Sequence, residues 1–160
     1  MELFLLRHGS AAPVRTGEQD ADRSLTEEGR QEVRRVIAAA RLANVCPSLL
    51  ISSPYQRALE SASIAATILD CKEPVLTSDA LRPEADVRDA WNEVRVHRDE
   101  PSILLIGHNP LFSMFGAYLL GVPEMQVDFP QSGVMRVDVE NFGVAPRGVL
   151  KWLVTPRLVV

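Results

Sequence analysis

The chain has 160 residues, 46% of them hydrophobic and 24% charged, with a formal net charge of −4. That length fits one ordinary domain, able to bury about 70% of its unfolded surface, and the composition excludes disorder, collagen and coiled coil as whole-chain descriptions. The acidic balance excludes a general nucleic-acid binder, which carries a basic surplus, yet only Lys72 and Lys151 are lysines, so the cations are nearly all arginines able to hold oxyanions bidentately.

In chain order, Leu3–Leu6 is a short apolar run of the kind expected for a strand buried on both faces, ended abruptly by Arg7-His8-Gly9. A polar stretch with Pro13 and Gly17 reads as a surface loop to about Arg23. From Leu25 to Ala43 the apolar positions Val33, Val36, Ile37 and Ala40 recur at helical spacing, with Ser24 or Thr26 as the N-cap. Leu49–Ile51 is a second buried strand. Ser53-Pro54-Tyr55-Gln56 reads as a capping box opening a helix to about Leu69, with Arg57 in its first turn. Val75–Thr77 is a weaker strand, and Asp86 to about His97 a helix that leaves His97 exposed near its end. Ser102–Ile106 is another buried strand; Gly107-His108-Asn109-Pro110 ends it and starts a further helix, with Asn109 as its cap. Val134–Val139 alternates as a half-exposed strand does, and Gly148–Val154 is the last strand. Strands alternating with helices predict one α/β domain over residues 1–160, its central sheet mostly parallel and flanked by helices on both faces.

Three strand-to-helix junctions carry unusual chemistry: Arg7-His8-Gly9, Ser52-Ser53-Pro54 with Arg57, and Gly107-His108. In a parallel sheet all three lie at the carboxyl edge, where such sheets bind ligands. Two arginines, two histidines and two helix N-termini converging there make a cationic site for a phosphoryl group. A neutral imidazole is a good nucleophile toward phosphorus, and His8 sits at a sharp turn where Gly9 permits close backbone approach. Arg7, Arg57 and a protonated His108 would hold the equatorial oxygens, and their charge would keep His8 unprotonated. Asn109, at the same junction as His108, is a further substrate-binding candidate. There is no GxxxxGK[ST] and no metal-ligand spacing among the three His and two Cys, so neither nucleotide, metal nor other cofactor is expected.

On these residues the chain resembles the histidine phosphatase superfamily, and within it the small SixA-like phosphohistidine phosphatases. The resemblance runs through Met1–Gly9 (MELFLLRHG), Asp22–Gly29 (DRSLTEEG), Ile51–Ala62 (ISSPYQRALESA), Leu81–Val87 (LRPEADV), Leu104–Pro110 (LLIGHNP) and Leu150–Pro156 (LKWLVTP). It implies a phosphoglycerate mutase-like fold, His8 as the residue phosphorylated in the intermediate, and Arg7, Arg57 and His108 as phosphate ligands. It also places Arg23 near the site. Ser10 stands where many SixA-like members carry an acid.

The general acid is left open. Glu84 is the nearest candidate for protonating a leaving oxygen and Asp86 the next, although a carboxylate at Asp86 also fits a helix start. A phosphohistidine substrate tolerates a missing acid, because its P–N bond is weak; a phosphate monoester does not. The segments between the site strands are too brief to build a lid, so a phosphohistidine presented on a protein surface could reach His8. The expected function is therefore a metal-independent phosphohistidine phosphatase, its partner a protein such as a phosphotransfer domain of a two-component relay. The alternatives are a broad small phosphate-ester phosphatase and a non-catalytic phosphoprotein-binding module. A phosphoglycerate mutase lacks room for an enclosing pocket, and a dinucleotide-binding module lacks GxGxxG. Cys46 and Cys71 read as free thiols of a reducing cytosol. Glu2 and the short Leu3–Leu6 run do not fit a signal peptide, and no apolar stretch fits a membrane span, so a cytoplasmic location is expected, with no membrane partner.

Overall fold

The structure, a computed structural model, describes residues 1–159. The chain order is β1 (Glu2–Arg7), α1 (Glu27–Leu42), β2 (Leu49–Ser52), α2 (Gln56–Leu69), β3 (Leu76–Thr77), α3 (Val87–Val96), β4 (Ser102–Gly107), α4 (Leu111–Leu119), β5 (Val134–Val139) and β6 (Gly148–Val154). The six strands form one sheet in the order β3-β2-β4-β1-β5-β6. β3, β2, β4 and β1 are mutually parallel, whereas β5 and β6 join as antiparallel strands.

Successive strand residues point to opposite faces, and β1 shows the consequence. Leu3 and Leu5 pack with Ile103, Leu105, Trp91, Phe112 and Phe115 in the core beneath α3 and α4. Phe4 and Leu6 pack with Leu104, Ile106, Val33, Val36, Ile37, Ala58 and Ala62 beneath α1 and α2. Both faces are therefore covered by helices, which is why β1 and β4 read as continuous apolar runs.

The helix boundaries follow from their caps. Thr26, not Ser24, is the N-cap of α1, its hydroxyl accepting from the Gly29 N–H at 3.0 Å. Asp86 caps α3 by accepting from the Arg88 N–H at 2.8 Å. The capping box expected at Ser53 does not form: α2 starts at Gln56, and its N-cap position, Tyr55, makes no side-chain cap. Gln56 reaches forward to Glu60 at 3.3 Å, and the Ser53 hydroxyl lies 2.8 Å from His108 Nε2. Pro110 rather than Asn109 occupies the N-cap position of α4, although Asn109 Oδ1 still accepts from the Ser113 N–H at 3.2 Å. β3 is reduced to two exposed residues at the sheet edge. His97 is half-buried rather than exposed, 3.3 Å from Glu93 one helical turn earlier. Among the described residues no helix is long and apolar enough to cross a membrane.

The parallel register aligns the strand ends that matter. Arg7 lies opposite Gly107, and Ser52 opposite Ile106 and Thr77. The ladder continues one step further: the His8 N–H bonds Gly107 O at 3.0 Å and the Ser53 N–H bonds Ile106 O at 2.9 Å. His8, Ser53 and His108 thus leave the sheet side by side.

Candidate active site

His8 forms the floor of the site and is 6% exposed. Its Nδ1 lies 2.7 Å from the Gly9 carbonyl oxygen. A carbonyl only accepts, so Nδ1 carries the hydrogen and Nε2 the lone pair. The ring's pKa is pushed from 6.5 down to about 4, first by burial and then by the charges of Arg57, Arg7 and Arg23, against the opposing pull of the Gly9 carbonyl. The sequence reading credits the charges of Arg7, Arg57 and a protonated His108; burial is the larger cause. Nε2 is therefore unprotonated and neutral across the physiological range.

The turn that presents His8 is fixed by packing. The Gly9 N–H donates to Ser61 Oγ at 3.2 Å, and Ser61 Oγ in turn donates to Arg57 O at 2.8 Å. A Cβ on Gly9 would stand 2.7 Å from Gly29 O, so the close approach that Gly9 permits is to the first turn of α1. On the other side the Ser132 N–H bonds both the Arg7 and His8 carbonyls at 3.1 Å.

Arg57, buried in the first turn of α2, points Nε at His8 Nε2 across 3.3 Å. Its remaining donors reach Asp20 O at 2.8 Å and Asp20 Oδ2 at 3.0 Å. Asp20 also accepts from Arg23 Nη1 at 2.8 Å, while Arg23 Nε holds Ala12 O at 2.7 Å. Asp20 is held below the usual carboxylate range, chiefly by its bond to Arg23. Arg7, half-buried, sends Nη1 to Phe129 O at 2.7 Å and leaves Nε buried without a partner among the described residues. Burial lowers its pKa, partly offset by Asp128. Three guanidinium groups thus surround one imidazole, with a single carboxylate bridging two of them.

His108 is 1% exposed, its ring centroid 4.9 Å from that of His8. Burial first, then His8 and Arg57, push its pKa down to about 2. This corrects the expectation of a protonated His108: in the free site the ring is neutral. Its Nδ1 is buried and has no partner among the described residues.

Glu84 stands at the rim. It is exposed, and its Oε2 accepts from the Tyr55 hydroxyl at 3.5 Å. Asp86 is engaged as the cap of α3. Asn109 is held within the protein, its Nδ2 donating to Phe129 O at 3.1 Å and its Oδ1 accepting from Ser113. Among the described residues no group of three or more His, Cys, Asp or Glu side chains is placed to hold a metal ion.

The structure therefore brings Arg7, His8, Arg23, Arg57 and His108 together, with Glu84 above them. Sequence reasoning misses Asp20, Tyr55 and the contact of Ser53 with His108. The Tyr55 ring lies 5.0 Å from the Arg57 guanidinium carbon and 5.1 Å, edge-on, from the His108 ring. Its neighbours in the Ser53–Arg57 stretch mark the junction, but Asp20 has no such signal beyond its i,i+3 spacing to Arg23. Chemically, a neutral nitrogen nucleophile beneath fixed guanidinium charge can accept a phosphoryl group and stabilise its oxygens.

A family model described as the histidine phosphatase superfamily (branch 1) matches residues 3–86. An uncharacterized protein of Picosynechococcus sp. is 34% identical over 113 residues, covering 69% of this chain and 67% of that protein. The fold is similar to that of the protein histidine phosphatase SixA complexed with tungstate, at 25% identity and a TM-score of 0.89, with 98% of each chain covered. The alpha-ribazole phosphatase of Shigella flexneri shares the fold at 17% identity and a TM-score of 0.75, over 98% of this chain and 97% of that one. The family match takes in the Arg7-His8-Gly9 turn and Arg57 and spans more than half of the sequence, and the chain belongs to the histidine phosphatase superfamily, branch 1.

Proposed function

We propose that this protein is a phosphohistidine phosphatase that removes a phosphoryl group from a histidine on the surface of another protein. The observation that carries the reading is a bare, neutral His8 Nε2 set beneath three arginines at an open sheet edge. The connections that leave this edge after β2 and β4 are only Ser53–Tyr55 and His108–Pro110, three residues each. The connection after β1 is longer and brings Asp20 against Arg57, but the two short connections leave their side of the site to a group standing proud of a macromolecular surface. The likeness to a protein histidine phosphatase supports the same substrate class.

In the first step the His8 Nε2 lone pair attacks phosphorus. The P–N bond of the substrate breaks, and its electron pair returns to the leaving imidazole nitrogen. If the other nitrogen of that ring carries hydrogen, the ring departs as neutral imidazole and needs no acid from the enzyme. Water then attacks the phosphorus of phospho-His8, the P–Nε2 pair returns to the ring, and a proton passes to solvent as inorganic phosphate forms. Arg7, Arg57 and Arg23 carry the charge of the phosphoryl oxygens through both steps. Arg57 must turn its Nε–H from His8 to the incoming oxygens, which also uncovers the nucleophile.

The partner that fits is a phosphohistidine-bearing domain such as the phosphotransfer module of a two-component relay, encountered in the cytoplasm. Labelled phosphohistidine protein, phosphoserine peptide and small phosphate esters are compared, with and without exhaustive chelation. The expected result is phosphate release from phosphohistidine that chelation leaves unchanged. Faster hydrolysis of small esters would identify an ester phosphatase, and tight binding of intact phosphoprotein would identify a binding module.

A further inference from the structure

Ser53 sits at the end of β2, fully buried, with its hydroxyl oxygen 2.8 Å from His108 Nε2. The same oxygen accepts from the Tyr55 N–H at 3.4 Å, and it makes no other hydrogen bond among the described residues. Two arrangements of protons are possible for a neutral His108. If Nε2–H donates to Ser53, the serine oxygen accepts twice and its own hydrogen is left unsatisfied in the interior, which folded proteins avoid. Nδ1 would then be a bare lone pair, repelled by a phosphoryl oxygen. If Ser53 Oγ–H donates to Nε2, both serine valences are used and Nδ1 carries the hydrogen. The second arrangement leaves one buried polar atom without a partner among the described residues where the first leaves two, and it makes that atom, Nδ1, a donor.

We propose that Ser53 is a positioning residue: it fixes His108 as the tautomer protonated on Nδ1, so that an uncharged imidazole donates a hydrogen bond to a phosphoryl oxygen. The inference rests on the phosphoryl-site reading, and it adds how His108 can serve an anion without being a cation. The single hydrogen of Ser53 is used across the sheet edge, on a residue fifty-five positions away. The Tyr55 ring packs edge-on against His108, with 5.1 Å between ring centroids.

The test uses nitrogen-15-labelled histidine in the intact protein at neutral pH, where the two ring nitrogens are distinguished by their shifts and proton couplings. For His108 the expected spectrum shows a protonated Nδ1 and a bare Nε2, both free and with inorganic phosphate bound. Ser53→Ala removes the donor and should return His108 toward the Nε2-protonated form. Inorganic phosphate should then bind about tenfold more weakly, the scale of one lost hydrogen bond, and kcat/KM should fall by a similar factor. Ser53→Thr keeps the hydroxyl and should restore both tautomer and affinity. A bare Nδ1, or a doubly protonated His108, in the wild-type protein overturns the proposal without any variant having to fold. A correct tautomer with no phosphohistidine hydrolysis would instead overturn only the substrate reading, because phosphate binding does not depend on the leaving group.

Discussion

The sharpest prediction concerns the titration of His8. An ordinary histidine with a pKa of 6.5 would be only about one tenth neutral at pH 5.5, whereas a ring at about 4 would be about 97% neutral there. The difference corresponds to about 3 kcal/mol of preference for the uncharged ring. Phosphoenzyme formation, followed by acid-quenched single turnover with labelled donor, should therefore be nearly as fast at pH 5.5 as at pH 7.5 once substrate ionisation is accounted for. A nitrogen-15 titration of His8 in the free protein checks this without substrate. Arg57→Gln removes the guanidinium 3.3 Å from Nε2 and should move the midpoint up, but not back to 6.5, because burial is the larger cause and stays. The same shift has a consequence for stability. The folded pKa lies below the unfolded one, so on acidification the unfolded chain takes up the proton first, and stability is lost as the pH falls from about 6.5 toward about 4. A His8 midpoint above 6 in the folded protein would refute this account of the nucleophile.

Three further outcomes follow from the same geometry. His8→Ala should abolish turnover while the fold persists by circular dichroism, and labelled phosphate trapped on the wild-type protein should map to His8 and not His108. Glu84→Gln should leave phosphohistidine hydrolysis nearly unchanged while any ester hydrolysis falls by about 10²-fold or more, the contribution of a positioned acid; kcat/KM on both substrates measures it, and an equal large loss on both would contradict the leaving-group argument. Gly9→Ala sets a methyl 2.7 Å from Gly29 O and should cost about 1–3 kcal/mol in thermal or denaturant unfolding, with a larger proportional loss of activity because the turn that yields is the one presenting His8.

The strands that build the site edge were legible because each is buried on both faces: Leu3–Leu6, Leu49–Ile51 and Ser102–Ile106 carry no polar face to confuse the reading. Their parallel pairing then converts three sequence-distant junctions into one edge, which is why Arg7, His8, Arg57 and His108 group together on the sequence alone. Asp20 could not be found this way. It lies in a short turn within a long loop, and its position depends on how residues 10–26 close over Arg57, through contacts that local periodicity does not encode. The Ser53 pattern matches a capping box, but the helix starts only at Gln56, and the chain around Ser53 does not reveal the imidazole from another strand that its hydroxyl meets. The charge of His108 was misread for a related reason: junction position indicates function, but the depth of burial that neutralises the ring is set by the whole fold.

The division between arginine and histidine in this site has a physical logic. A phosphoryl group needs positive charge around its oxygens and an uncharged lone pair at phosphorus, and these demands conflict when they fall on the same kind of residue. Guanidinium stays protonated even where burial lowers its pKa, as at Arg7, so Arg7, Arg23 and Arg57 supply charge that does not vary across the working pH range. Imidazole responds to the same burial by losing its proton, so His8 becomes a nucleophile in the environment that the arginines make. Asp20 fits between the two roles. In the free protein it satisfies donors of Arg57 and Arg23 that would otherwise face each other unpaired. It is about half exposed, at the edge of the cup rather than on its floor. An incoming phosphoryl dianion, carrying more charge than one carboxylate, meets arginines that are already aligned by Asp20 and need only shift toward the stronger anion.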